Sequence, residues 1–188
     1  MATHVALLRG INVGGRNKVA MADLREIMAS LGHTDVATYI QSGNVVFSTD
    51  EKDTATVAAA IEKAVEDRAG VRSAVLVLTR GELARIARDN PYPDEPNPKM
   101  VHVVFLPTGP APEMIASVAE AQDTVARQGS RDTAQYAGRA LFLHTPDGFG
   151  RSELAALLTR AGRPMSAKGG GTARNVATVR KLLDMCGS

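Results

Sequence analysis

Short apolar runs of strand length alternate with stretches of helical period, and the whole alternation is laid down twice along the 188-residue chain. This repetition limits the fold more than any single motif does, because strands that recur with intervening helices must build sheets covered by helices. In the first round His4 to Arg9 reads as a strand, and Gly10 to Lys18 as a loop. Met21, Leu24, Ile27, Met28 and Leu31 then fall at helical spacing, with Gly32 where a C-terminal cap belongs. The runs Val36 to Ile40 and Val45 to Phe47 are joined through Gln-Ser-Gly-Asn, whose glycine and asparagine accept the positive φ of a tight turn. A second helix is expected from Asp53 to Ala69, with Val57, Ala60, Ile61, Ala64 and Val65 on one face, and Ser73 to Leu78 supplies a further strand.

The order is βαββαβ, that of a ferredoxin-like unit. After a helix at Leu83 to Arg88, Asn90 to Pro98 carries four prolines in nine residues and reads as a linker. The plan then returns: a strand from Met100 to Leu106, a helix from Pro112 to Ala121, a hairpin around Gly138 and a helix from Ser152 to Ala161. Gly138 and Phe142 stand 95 residues after Gly43 and Phe47, which suggests an internal duplication. The end differs, since Gly162 to Thr172 with its Gly-Gly-Gly run leads straight into a last helix, and no closing strand is evident. The expected fold is therefore α+β: two ferredoxin-like halves, residues 1–89 and 100–188, a linker at 90–99, and a C-terminal helix.

Composition narrows the function. Aromatic residues make up 4% with no tryptophan, so no row of rings is available for stacking successive bases. The single cysteine, Cys186, allows neither an internal disulfide nor a thiolate cluster, and fits a reducing compartment. No apolar run nears the roughly 18 residues that span a bilayer, and no leader is evident, so a cytoplasmic protein without a membrane partner is expected. Net charge is only +2, too balanced for extensive neutralisation of duplex DNA. Basic residues are nevertheless clustered: Arg160 to Leu183 holds six and no acid, and Arg9 to Lys18 holds three and no acid.

Two segments carry the candidate chemistry. Arg9 to Lys18 is a glycine-rich loop between a strand and a helix, a form that can aim backbone N–H groups at an anion, although it matches neither dinucleotide nor NTPase fingerprint. Gly169 to Asn175 enters the last helix; with Thr172 as N-cap, Arg174 would sit in the first turn, where a bound anion would offset an unfavourable charge of about 0.3–1 kcal/mol. His4, His33, His102 and His144 are scattered, none at metal-ligand spacing, and Ser42 lies in a hairpin turn and not a nucleophile elbow. No metal or cofactor is expected, and no catalytic residue is assigned.

The stretches Ala-Leu-Leu-Arg-Gly-Ile-Asn-Val-Gly-Gly (6–15), Thr-Tyr-Ile-Gln-Ser-Gly-Asn-Val-Val-Phe (38–47) and Thr-Ala-Arg-Asn (172–175), with Thr178, Lys181 and Leu182, resemble the bacterial family catalogued as domain of unknown function 1697. That pattern usually has tryptophan after Arg-Asn, where this chain has Val176. The resemblance implies ferredoxin-like halves and no established activity. Together with the physical reading it marks Arg9, Gly10, Asn12, Gly14, Gly15, Asn17, Lys18, Gln41, Ser42, Asn44, Lys168, Thr172, Arg174, Asn175, Thr178 and Lys181 as candidate anion-binding residues. Three functions follow from this pattern: binding of a phosphate-bearing small molecule or single-stranded nucleic acid, an enzyme acting on a phosphorylated or nucleotide substrate, and a dimeric interaction module. The sequence leaves monomer and dimer both open.

Overall fold

A computed structural model describes residues 1–187. Two compact units emerge, Met1–Ala84 joined by the chain from Arg180 onward, and Arg85–Val179.

In the first unit, β1 (His4–Leu8) is flanked by β3 (Asn44–Ser48) and β4 (Val75–Thr79), and β2 (Thr34–Tyr39) lies at the edge, giving the antiparallel order β2-β3-β1-β4. The position of each strand explains its composition. Central β1 is buried along its whole length and reads as an unbroken apolar run, whereas edge strand β2 is polar and partly exposed. Two helices cover one face. Helix α1 (Met21–Ser30) buries Leu24, Ile27 and Met28, and α2 (Thr54–Ala69) buries Val57, Ile61 and Val65, each set falling on one helical stripe. The Asp53 side chain caps α2 by accepting from the Ala55 amide, and Gly70 ends the helix with φ 66°. The stripes close on Ala6, Leu8, Val45, Phe47 and Val77 of the sheet to form an aliphatic core around one phenylalanine. Helix α3 (Arg80–Arg88) follows β4.

The second unit repeats this plan with β5 (Val101–Phe105), α4 (Pro112–Arg127), β6 (Thr133–Ala137), β7 (Ala140–His144), α5 (Glu153–Leu158) and β8 (Thr172–Asn175), in the order β6-β7-β5-β8. The chain is thus an internally duplicated pair of ferredoxin-like halves, followed by helix α6 (Val176–Met185). Its core joins Val104, Leu141 and Leu143 to Val118, Ala121, Val125, Leu154 and Leu158.

Three expectations change. First, the second half does have a closing strand: β8 pairs with β5, placing Thr172 opposite Phe105 and Arg174 opposite Val103. Four residues, Thr-Ala-Arg-Asn, carry no apolar run or alternation strong enough to announce a strand, and the neighbour supplies the ordering. Thr172 therefore does not cap the last helix; the Asn175 side-chain oxygen does, accepting from the Thr178 amide at 2.8 Å. Second, Phe47 and Phe142 are not equivalents. Phe47 lies in the helix-side core, but in the second half that side of the hairpin holds Leu141 and Leu143. A register one residue off reverses the face of a strand, which a comparison by spacing alone does not detect. Third, the expected division at 90–99 marks where regular structure stops, whereas the second unit begins at Arg85, inside α3, and the chain from Arg180 onward returns to the first.

The same slip separates the two turn glycines. Gly43 has φ 79°, and a Cβ there would lie 2.7 Å from Leu8 Cβ and 2.9 Å from Ile11 Cδ1. Gly138 has φ 58° with open space around it. Gly43→Ala combines overpacking with backbone strain and is expected to cost about 3 kcal/mol, against about 1 kcal/mol for Gly138→Ala. Chemical denaturation of the two variants checks this; equal losses would contradict the close approach at Gly43.

Candidate functional site

The loop Gly10–Lys18 is fastened by its own asparagines. Asn12 (φ 54°) donates from Nδ2 to the carbonyls of Val19 at 2.9 Å and Gln41 at 2.8 Å, while its Oδ1 accepts from the Val19 amide at 2.9 Å. The Asn12 amide donates to Asn17 O at 3.0 Å, and Asn17 (φ 51°) donates from Nδ2 to Gly10 O at 3.0 Å. Asparagine tolerates the left-handed region and has both donor and acceptor to close such a loop. Gly14 and Gly15, with φ 56° and 74°, complete the turn between Val13 and Arg16.

One of these bonds answers whether the loop and the hairpin turn share an end of the sheet. Asn12 to Gln41, and Leu8 N to Gly43 O at 2.8 Å, bring them side by side. The turn has its own internal bonding: buried Asn44 donates from Nδ2 to Tyr39 O at 3.0 Å and to Ser42 Oγ at 2.9 Å. The start of the loop is fixed by Ser73, whose hydroxyl accepts from Arg9 N at 3.1 Å and donates to Arg9 O at 2.9 Å. The sequence places Ser73 at the start of a strand and gives no sign of its bonds to Arg9, because a serine at a strand end has no distinguishing pattern. Among the described residues, the exposed side chains of Arg16 and Lys18 take no hydrogen-bond or ion-pair partner. Arg16 belongs to the basic loop but is not among the residues that the family resemblance marks.

The second candidate segment is built differently. The Gly169, Gly170 and Gly171 amides all point inward, to Ser166 Oγ at 3.0 Å, Ser166 O at 3.1 Å and Pro164 O at 2.9 Å. A Cβ on Gly169 would overlap the Arg163 carbonyl, and one on Gly171 would lie 2.5 Å from Pro164 O. The glycines therefore allow backbone to pack on backbone, and their N–H groups are not presented to a ligand. Arg174 is buried in β8, donating to Thr172 Oγ1 at 3.0 Å and Ala173 O at 2.8 Å, and burial pulls its pKa down to about 10. Thr172, Arg174, Asn175 and Thr178 are thus tied to the strand-to-helix junction, while Lys168 and Lys181 are exposed.

Two other polar places lie in the second unit. In the proline-rich segment Glu95 Oε2 meets His144 Nε2 at 2.6 Å, and the Tyr92 ring lies 5.1 Å from that imidazole. The Asn97 amide and His144 hold the Glu95 carboxyl below its ordinary range. A cleft of about 360 Å³ is lined by Asp132, Asp147, Arg151, Ser152 and Glu153, with Ser152 Oγ donating to Asp132 at 2.7 Å. Among the described residues no group of three or more His, Cys, Asp or Glu could hold a metal ion, and no helix is long and apolar enough to cross a membrane.

This fold, with its asparagine-fastened loop, defines a class before it defines an activity. The family model "Protein of unknown function (DUF1697)" matches residues 1–142, and the chain belongs to that family. Among solved structures it is similar to the conserved bacterial protein SP0830 from Streptococcus pneumoniae, with 21% identity, a TM-score of 0.71 and 98% of each chain covered, a likeness that shows the fold. None of the curated proteins matches it.

Three imidazoles whose pKa values burial lowers contribute to the response to acid. His102 stacks on Phe149 at 4.0 Å with Nδ1 buried and unbonded, and burial lowers its pKa to about 4. His4 and His33 flank Phe47 and are also lowered by burial, His33 further by His4, while Glu82 opposes the shift at His4. These rings stay neutral in the fold but gain a proton near pH 6.5 when unfolded, so their stabilisation is complete above about pH 6.5 and declines as pH falls towards 4. The melting temperature should drop on acidification through this window, and His102→Leu should flatten the drop. A melting temperature that rises on acidification would contradict the assignment.

Proposed function

We propose that the Gly10–Lys18 loop of the first unit is a binding element for a phosphate-bearing small molecule. The observation that supports this reading is that Arg16 and Lys18 stand exposed and unpaired on a loop whose backbone is already ordered by Asn12 and Asn17. An anion arriving there meets two cations without the cost of ordering the chain beneath them. No acidic residue occurs between Arg9 and Ala22 to compete with it. The helix start at Asn175 does not enter this reading, because the glycine amides before it are spent and Arg174 is buried. Exposed cations are screened by salt, so binding should weaken as ionic strength rises.

The test is thermal denaturation with inorganic phosphate and inorganic tripolyphosphate at low and moderate salt. Ligand at 100 times its dissociation constant adds about 2.7 kcal/mol, a rise of roughly 5–10 °C for a chain of this length. Arg16→Ala and Lys18→Ala are expected to remove the rise, and Lys168→Ala to leave it intact. Absence of any rise in the wild-type protein, or its persistence in the Arg16→Ala/Lys18→Ala double variant, would overturn the proposal.

A further inference from the structure

The loop and the turn beside it expose apolar side chains that the fold itself does not use. Val13 is 64% exposed and Ile40 is 52% exposed, two of the few large hydrophobic residues to stand out in water. Ile40 carries a second burden: its φ is 49°, in the left-handed region, where a β-branched side chain is a true outlier. Such a conformation is strained for isoleucine, and asparagine or glycine would occupy it with little strain. The surrounding structure enforces it, since Asn44 holds the Tyr39 carbonyl on one side and Gly43 is pressed against Leu8 and Ile11 on the other. An isoleucine that is both strained and solvated contributes little to folding, and its presence is explained by something that covers it.

What covers it can be narrowed by chemistry and magnitude. The Asn12 to Gln41 bond places the residue after Asn12 and the residue before Gln41 on adjoining segments, so Val13 and Ile40 belong to the same end of the unit as Arg16 and Lys18. Inorganic phosphate or a sugar phosphate has no apolar face to set against two aliphatic side chains. A bilayer is the wrong size, because one valine and one isoleucine carry fewer methylenes than a single myristoyl chain, which itself gives only marginal membrane binding. A long single strand would want a row of aromatic platforms, yet Phe47 is fully buried and so is the Tyr136 hydroxyl, and the half-buried Tyr39 is a single ring and not a row. One planar heterocycle next to a phosphate matches both the apolar pair and the two cations.

Building on the phosphate reading, we infer that the ligand of this loop is a nucleotide, its base against Val13 and Ile40 and its phosphates towards Arg16 and Lys18. The base contact is aliphatic and makes no directional hydrogen bonds through those two side chains, so it tolerates different bases. The Ile40 strain is then retained for binding at the expense of stability.

The test compares ATP with inorganic tripolyphosphate, the same phosphate chain without a nucleoside, by titration calorimetry on the full chain. ATP is expected to bind about ten-fold tighter, a difference of about 1.4 kcal/mol. Val13→Ser and Ile40→Asn should bring ATP to the level of tripolyphosphate, and Ile40→Asn should also raise the melting temperature, which shows that the loss is not one of folding. Arg16→Ala and Lys18→Ala should weaken both ligands. Equal affinity for the two in the wild-type protein, or a preference for ATP that survives in the Val13→Ser/Ile40→Asn double variant, would overturn the nucleotide inference and leave the phosphate site standing. Binding of neither ligand, or retention on phosphatidylglycerol vesicles in their place, would overturn it together with the reading on which it rests.

Discussion

The Asn12 side chain holds the loop and the hairpin turn at one end of the first unit together. One amide group reaches the carbonyl and the N–H of Val19, which closes the loop on itself, and the carbonyl of Gln41, which ties it to the hairpin. Only an asparagine in the left-handed region supplies a donor pair and an acceptor from so short a side chain. The close approach of Gly43 to Leu8 and Ile11 completes the arrangement from the core side, since Ile11 is buried under the turn. The side chains of Val13, Arg16, Lys18, Ile40 and Gln41 take no part in this network and are exposed to solvent.

The glycine-rich segment ahead of β8, which lies at a different place in the repeat, uses the same residue type for a different purpose. There the glycines let Gly169 and Gly171 lie against the Arg163-Pro164 backbone, and their amides are satisfied within the loop. The buried Arg174 guanidinium binds back to Thr172 and Ala173 at the edge of β8. The two glycine-rich loops, one after β1 and one before β8, therefore differ in chemistry: the first carries exposed cations and the second is closed on itself.

The architecture could be read from the sequence because it rests on periodicity: α1 and α2 announce themselves by apolar stripes, the first followed by Gly32, and β1, β3, β5 and β7 by apolar runs. Strand β8 could not be read, because its order comes from pairing with β5 and not from its own four residues. Loop chemistry was half readable. Asn12, Asn17, Gln41 and Asn44 stand out as polar residues a core does not need, yet which carbonyl each asparagine side chain reaches, including that of Gln41 from Asn12, follows only from the fold. Arg174 misled for the opposite reason, since a cation near a helix start looks exposed until the strand that buries it is known. The strained Ile40 left no trace in the sequence at all, because an isoleucine next to a turn looks like the end of an apolar run.

Amide hydrogen exchange on the wild-type protein and on Asn12→Ala would examine the ordered loop itself. If Asn12 fastens it, the Val19 amide, bonded to Asn12 Oδ1 in the fold, is protected in the wild type and exchanges freely in the variant, while core amides such as Val45 keep their protection. Free exchange of Val19 in the wild-type protein, or unchanged protection without the Asn12 side chain, would contradict a loop ordered by Asn12.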